Sequence, residues 1–153
     1  MALKIARFVS LVSIALSLGP ALAHLLELPH KIGLSPSDYL VVQRLYRGWA
    51  MLGVLIAFAL GSTLVMALLE RSRPPAFRLA LASFLCLVGA QLVFWIFTFP
   101  ANRATKNWTT LPEDWMRWRT RWELSHAAGA FLVIAALAAA VLSVLVEVRR
   151  RPA

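Results

Sequence analysis

Acidic residues and cysteines are scarce in this chain, and both scarcities exclude classes of protein. There are 7 acidic residues against 16 basic ones in 153 positions, a formal net charge of +9. The single cysteine, Cys86, lies inside an apolar run, so neither an intrachain disulfide nor a cysteine-based metal cluster forms. The chain also lacks a phosphate-binding glycine loop and a nucleophile elbow, which argues against those nucleotide-binding and hydrolase classes.

Long apolar runs dominate the rest of the chain. Hydrophobic residues make up 60% of it, and the mean hydropathy of +0.72 is too high for a soluble domain of this size. Four segments, at about 5–28, 48–69, 79–100 and 124–146, each reach the length of about 20 residues that crosses a bilayer. Lipid gives the backbone no hydrogen-bond partners, so each segment should be a helix. The sequence therefore predicts an all-α, integral membrane four-helix bundle, one transmembrane domain over residues 1–153 in contact with the lipid bilayer.

The polar connections predict one further helix and two kinds of loop. Ser35 followed by Pro36 is typical of a helix start, which predicts a short interfacial helix after the first span. Residues 70–78 are predicted to form a tight turn. Residues 101–122 are predicted to be the longest loop, with four tryptophans among basic residues as in the aromatic belt of a membrane interface. Basic residues at the ends of apolar runs indicate membrane anchoring, and we expect no nucleic-acid partner.

The membrane orientation depends on these same basic residues. They are equally numerous at the two sets of helix ends, but one set flanks the spans more tightly. We therefore expect a multi-pass protein of a bacterial inner membrane with its N- and C-termini in the cytoplasm. Ala21-Leu22-Ala23 fits a signal-peptide cleavage site, so the alternative is that the first segment is a signal peptide that is removed. The apolar run continues to Leu28, which favours an uncleaved helix.

Two polar clusters lie where apolar segments meet loops. The first holds His24, Glu27 and His30, and the second holds Glu123 and His126. Each cluster has a glutamate and a histidine three residues apart, a spacing that places both on one helix face. The chain crosses the membrane twice between the two clusters, so both clusters lie on the same side of the membrane. Ionisable groups at such positions are costly and usually functional, so this end is the predicted site.

These residue types also fit a metal site. Imidazole with carboxylate suits zinc, copper or non-haem iron. A di-iron centre needs four carboxylates, so a mononuclear site with two or three histidines is the favoured metal hypothesis. Its candidate ligands are His24, Glu27, His30, Glu123 and His126. Haem held between His24 and His126 is a further alternative, and the sequence leaves the identity of any cofactor open.

A longer motif extends over the third and fourth segments. It begins Phe99-Pro100-Ala101-Asn102-Arg103, continues through the tryptophan-rich stretch, and ends Arg121-Trp122-Glu123-Leu124-Ser125-His126 before an alanine-rich span. This pattern resembles the anthrone oxygenase-like family of small four-helix membrane proteins. Some members of that family oxidise anthrones to anthraquinones with molecular oxygen. The resemblance covers the C-terminal third of the chain and implies that Asn102, Trp122 and His126 line a site.

The two clusters and the resemblance together predict an oxygenase or oxidoreductase that acts on an apolar aromatic small molecule. His126 or His24 would act as general base, because imidazole titrates near neutral pH. Asn102 and Arg103 would stabilise the resulting oxyanion. The predicted catalytic residues are therefore His126, Asn102, Arg103 and His24.

A non-enzymatic function is the alternative. The chain would then be an accessory subunit of a larger membrane complex, a homo-oligomer, or a haem- or metal-binding membrane protein. The tryptophan- and arginine-rich stretch would be a docking surface. The two glutamates would pair with Arg47, Arg103 or Arg121, and the histidines would hydrogen-bond between helices.

Overall fold

The computed structural model describes the backbone of residues 1–148 and the side chains of residues 1–146. This part of the chain is helical and contains no strand, which confirms the all-α prediction. Its six α-helices are α1 (Ala2–Lys31), α2 (Pro36–Gln43), α3 (Gly53–Glu70), α4 (Pro74–Val93), α5 (Phe99–Ala104) and α6 (Trp115–Val148). Two short 3-10 turns, Arg44–Tyr46 and Trp49–Leu52, join α2 to α3.

Four helical stretches are long and apolar enough to cross a membrane, as a multi-pass integral membrane protein requires. They are Ala2–Lys31, Trp49–Glu70, Pro74–Ala104 and Trp115–Val146. The predicted number of four long apolar helices is confirmed, and each predicted segment overlaps one of these stretches, three of which are longer than predicted. The predicted loop over residues 101–122 is too long at both ends, because α5 continues to Ala104 and α6 begins at Trp115, which leaves a loop over residues 105–114. Trp115, Trp118 and Trp122 recur at three- and four-residue spacing, which is the spacing of one helix face.

The long helices form a closed ring in which α1 contacts α3 and α6, and α4 contacts the same two helices. Small side chains fill much of the interior, and Ala59, Ala80 and Ala136 are completely buried. The hydrophobic effect does not drive helices together in a membrane, so they associate through close packing. Small residues allow that packing because they let the helix backbones approach closely. Large apolar side chains such as Phe58 and Phe131 point outward and are about 60% exposed, as expected for a lipid-facing surface.

A buried ionic cluster closes the end of the bundle where the chain begins. Arg7 of α1 donates from Nε to Oε1 of Glu70 at 2.7 Å, and Glu70 is completely buried at the end of α3. Ser143 of α6 donates to the other carboxylate oxygen at 2.6 Å, and its hydroxyl also lies 3.1 Å from the Ala76 carbonyl in α4. The cluster therefore links all four long helices. The tight turn predicted for residues 70–78 is confirmed at residues 71–73, but Glu70 belongs to α3 and the residues from Pro74 onward belong to α4.

The opposite end of the bundle is covered by α2 and by the loop over residues 105–114. Ser35 caps α2 by accepting a hydrogen bond from the Asp38 amide, and Pro36 occupies its first turn, which confirms the predicted short helix. Tyr39 of α2 is completely buried, and its ring packs edge-on against Trp108 of the loop. Both segments thus place aromatic rings over the helix ends, close to the two predicted polar clusters.

One π-helical turn, Phe94–Thr98, interrupts the third span between α4 and α5. Pro100 accounts for it, since proline lacks an N–H and its ring clashes with the carbonyl four residues earlier, that of Ile96. The Arg121 guanidinium of α6 donates a hydrogen bond to this Ile96 carbonyl. The irregular turn is therefore held against α6 by a charged donor, one helical turn before His126.

Candidate functional site

The imidazole rings of His24 and His126 lie in contact at the end of the bundle covered by α2. Their centroids are 4.2 Å apart and their planes are tilted by 32°. His24 comes from the last third of α1 and is 5% exposed, and His126 comes from α6 and is half-buried. The expectation that both histidines reach one side of the membrane and one patch is confirmed.

Aromatic rings enclose this histidine pair. The Trp122 indole lies 5.0 Å from the His24 ring and 4.2 Å from the His126 ring, measured between centroids. The rings of Tyr46 and Trp49, which lie on either side of Gly48, are 4.5 and 5.4 Å from His24. Gly48 has a φ of +89°, a conformation that glycine adopts without strain, and this lets the chain turn between the two rings. The pair therefore lies against flat apolar surfaces.

Asn102 takes part in the site through Trp122. The indole Nε1 of Trp122 donates to Oδ1 of Asn102 at 2.8 Å, a bond that fixes the indole plane beside both histidines. The side-chain nitrogen of Asn102 keeps its own two donors. Arg103, the next residue, is exposed. The structure thus brings three of the four predicted catalytic residues together and leaves Arg103 at the surface of the protein.

A buried ion pair lies next to the histidine pair. The Lys31 Nζ of α1 is 3.1 Å from Oε1 of Glu123 in α6, and the two residues are 3% and 0% exposed. The Tyr39 hydroxyl donates to the same carboxylate oxygen at 2.9 Å. Lys31 also lies over the rings of Tyr46 and Trp122, at 4.4 and 4.7 Å from their centroids. The expected pairing of Glu123 with an arginine is wrong, since a lysine holds it.

Lys31 lies outside the predicted first span, which ends at residue 28, so the sequence prediction missed its role. A signal for its role was nevertheless present: Lys31 follows Glu27 by four residues and His24 by seven, which places all three on one face of α1. The apolar run ends before Lys31, but the helix does not. The predicted first span ends at residue 28, whereas α1 continues through Pro29 to Lys31.

Glu27 connects this cluster to the surface. It accepts a hydrogen bond from the Tyr46 hydroxyl, which in turn accepts one from Lys31 at 2.9 Å. The side chain of Glu27 is 40% exposed, whereas that of Glu123 is completely buried. The Lys31 nitrogen is 3.8 Å from Glu27, a longer ion pair than the one to Glu123. Glu27 is therefore the carboxylate of this cluster that reaches the surface.

Both tyrosines of the cluster hold their protons tightly. Burial, followed by the nearby carboxylate of Glu123, raises the pKa of Tyr39 well above its ordinary value. Burial, followed by the hydrogen bond to Glu27, raises the pKa of Tyr46 in the same direction. Each hydroxyl is consequently a neutral donor at physiological pH, matched to an adjacent carboxylate.

The five predicted metal ligands do not form one coordinating group. Among the residues that the structure describes, no three or more His, Cys, Asp or Glu side chains are placed to hold a metal ion. His30 is exposed, and Glu123 is engaged by Lys31 and Tyr39. The exposure of His30 disagrees with the three-histidine form of the mononuclear site, and the two-histidine form stays a prediction.

The histidine pair also fits haem poorly. A metal-bound imidazole has its centroid about 3 Å from the metal, so a linear axial pair needs its centroids about 6 Å apart. The His24 and His126 centroids are 4.2 Å apart, which leaves no space for a haem plane between them.

No protein-family model, curated protein or solved structure matches this chain. Membership of the anthrone oxygenase-like family thus stays a prediction that rests on the sequence motif.

Proposed function

We propose that this protein is an oxidoreductase that removes a proton from an activated carbon of an apolar aromatic molecule, which molecular oxygen then oxidises. The observation that carries the proposal is the contact between His24 and His126, 4.2 Å between ring centroids, beside the Trp122 indole. Imidazole is the side chain best suited to accept a proton near neutral pH. The sequence motif that resembles anthrone oxygenases ends at one of these two histidines.

The surroundings of the pair suit a flat, apolar substrate. Tyr46, Trp49 and Trp122 offer aromatic faces and edges, and such rings pack favourably against another aromatic molecule. His126 is half-buried on a bundle whose outer surface is apolar, so a molecule dissolved in the bilayer approaches the pair without crossing water. The substrate class is therefore a small polycyclic aromatic molecule with an acidic carbon-bound hydrogen.

The proposed reaction converts a methylene group flanked by aromatic rings into a carbonyl. Imidazole takes one proton from the methylene, and the resulting carbanion donates electrons to O2 as a carbon–oxygen bond forms. The peroxide anion takes the proton back from the imidazolium. Loss of the second carbon-bound proton then breaks the O–O bond, hydroxide leaves, and the proton completes a water molecule. In sum, one methylene and one O2 give one carbonyl and one water.

Asn102 is the donor that we assign to a carbonyl oxygen of the substrate, which takes the negative charge as an oxyanion when the methylene proton leaves. Its side-chain oxygen accepts from Trp122, so its two N–H donors are free to face a negatively charged oxygen. Arg103 is exposed, and its contribution in this proposal is limited to long-range attraction.

The test compares His126→Ala and His24→Ala with His30→Ala in detergent-purified protein supplied with an anthrone and oxygen. Oxygen uptake and quinone absorbance are measured. Loss of a general base lowers turnover by about 10²- to 10⁴-fold, so we expect this for one histidine of the pair. His30 is exposed, so its variant should keep the activity and serves as the matched control.

Two outcomes would contradict the proposal. Unchanged turnover in both His126→Ala and His24→Ala would remove the pair from the chemistry. Absence of turnover in the wild-type protein, together with copurification of a stoichiometric membrane partner, would favour the accessory-subunit alternative. Loss of activity in His30→Ala alone would instead revive the metal hypothesis.

A further inference from the structure

His24 is buried and needs a way to exchange protons with water, and one polar connection reaches the surface from it. His24 is 5% exposed, and its Nδ1 is buried without a hydrogen-bond partner within the described part of the chain. A buried polar atom without a partner requires an explanation, such as an exchange of protons or a bound water molecule. The rings of Tyr46, Trp49 and Trp122 pack around the His24 ring.

Tyr46 lies between His24 and the surface. Its ring contacts the His24 ring at 4.5 Å, and its hydroxyl donates to the Glu27 carboxylate. The same hydroxyl oxygen accepts from Lys31 at 2.9 Å, and a hydroxyl oxygen has a second lone pair that can accept a proton from a neighbouring imidazolium as its own proton leaves. Because burial and Glu27 raise the pKa of Tyr46, this hydroxyl keeps its proton between transfers.

Glu27 is the aqueous end of the connection. Its side chain is 40% exposed, and it lies one helical turn from His24 on the same face of α1. The other charged and titratable groups of the cluster do not offer such an end. Glu123 is completely buried, Tyr39 donates to Glu123, and the Lys31 ammonium is enclosed by Glu123 and aromatic rings.

We propose that Tyr46 and Glu27 form the route by which the histidine pair exchanges protons with water. An imidazolium proton passes to the Tyr46 oxygen, directly or through one bridging water, as the phenolic proton moves to the Glu27 carboxylate. The carboxylic acid then releases its proton to water or buffer. The reverse sequence protonates the pair. Charge balances at each step, since imidazolium and carboxylate become imidazole and carboxylic acid before the release.

This inference does not depend on the oxidation chemistry proposed above, because its test uses no substrate. The full-length protein is purified in detergent with 13C-labelled histidine rings and given a rapid pH jump with a caged proton. Infrared bands of the imidazoles then report how fast the histidine pair reaches its new protonation state. The equilibrium amplitude of the same bands, with the helical content, verifies that each variant is folded.

We expect the relaxation rate to fall by about tenfold or more in Glu27→Gln and in Tyr46→Phe. Glu113→Gln is the control, because Glu113 is exposed on the loop over residues 105–114, and its rate should stay at the wild-type value. Glu27→Asp should keep most of the rate. Acetate should restore the rate in Glu27→Ala, since a small carboxylate in solution replaces the missing group.

A merely structural role for Glu27 would be insensitive to acetate, so failure of this rescue would overturn the inference. A wild-type rate in Glu27→Gln would overturn it as well. A wild-type protein that shows the proton route but oxidises no anthrone would leave the route standing and remove the proposed function.

Discussion

Lys31 and Glu123 join the first and last helices of the bundle through a 3.1 Å ion pair that is almost completely shielded from solvent. The two residues lie 92 positions apart in the chain, and each also binds a tyrosine hydroxyl, Tyr46 for Lys31 and Tyr39 for Glu123. The pair therefore fixes the segment over residues 36–46 against the helices that carry the histidines.

Removal of one partner of this pair should be costly. Lys31→Met leaves the Glu123 carboxylate buried without its counter-ion, and such losses destabilise proteins by about 3–5 kcal/mol. The double variant Lys31→Met/Glu123→Leu removes both charges and should recover most of that loss. Unfolding in denaturing detergent measures the stability of the wild-type protein, of Lys31→Met, of Glu123→Leu and of the double variant. A double variant as unstable as Lys31→Met would show that charge pairing is not the stabilising factor.

The two tyrosines predict a distinctive alkaline titration. An unperturbed tyrosine ionises near pH 10, and both tyrosines of this chain have a raised pKa in the folded protein. Ultraviolet absorbance should therefore show no tyrosinate at pH 10 while the protein is folded, and about half ionisation at that pH after unfolding. A native titration near pH 10 would contradict the hydrogen bonds to Glu123 and Glu27.

The same shifts give the sign of the pH dependence of stability. A group whose folded pKa is raised binds its proton more tightly in the folded state, so its contribution is complete below the unfolded pKa. The contribution decreases as the pH rises above about 10. Tyr39→Phe and Tyr46→Phe should each reduce this alkaline loss of stability, which thermal unfolding at a series of pH values measures.

Glu70 should stabilise the end of the bundle that lies away from the histidines. Glu70→Ala leaves Arg7, whose side chain is 14% exposed, without its partner, and we expect a loss of about 3–5 kcal/mol. Ser143→Ala removes one neutral donor to the carboxylate and should cost about 1–3 kcal/mol. Glu113→Ala, at an exposed position, is the control. Equal stability of the Glu70 and Glu113 variants would rule out this ionic cluster as a stabilising element.

Trp122 should contribute through both its ring and its N–H. Trp122→Ala removes an indole that is 4% exposed and should cost about 3–5 kcal/mol. Trp122→Phe keeps an aromatic ring beside the histidines but loses the hydrogen bond to Asn102, which is worth about 1 kcal/mol. Unfolding experiments on both variants separate the two contributions. A phenylalanine variant as unstable as the alanine variant would show that ring packing alone does not explain the role of this residue.

The sequence predicted the spans, the short helix at Pro36 and the meeting of His24 with His126. These follow from apolar length, cap chemistry and the parity of membrane crossings, which are local or topological properties. The helical extension from Trp115 to Trp122 was missed because arginine-rich segments look like loops when only hydropathy is considered. The partner of Glu123 was missed because the apolar run ended before Lys31, although the helix did not. Side-chain pairing between helices depends on their rotation, which apolar length does not specify.

The π-helical turn Phe94–Thr98, which Pro100 causes, determines the direction in which the later side chains of the third span project from the helix axis. Each residue of a regular α-helix advances the chain by about 100° around the axis. A π-helical turn accommodates one extra residue, so Asn102 is presented at a different angle from the one that an uninterrupted helix would give it. Deleting one residue between Phe94 and Thr98 would let this stretch form a regular α-helix and keep the amide on the indole, whereas closing the π turn without a deletion would rotate the amide by about 100°. Pro100 therefore determines, through the π turn, the direction in which the Asn102 amide projects from the helix.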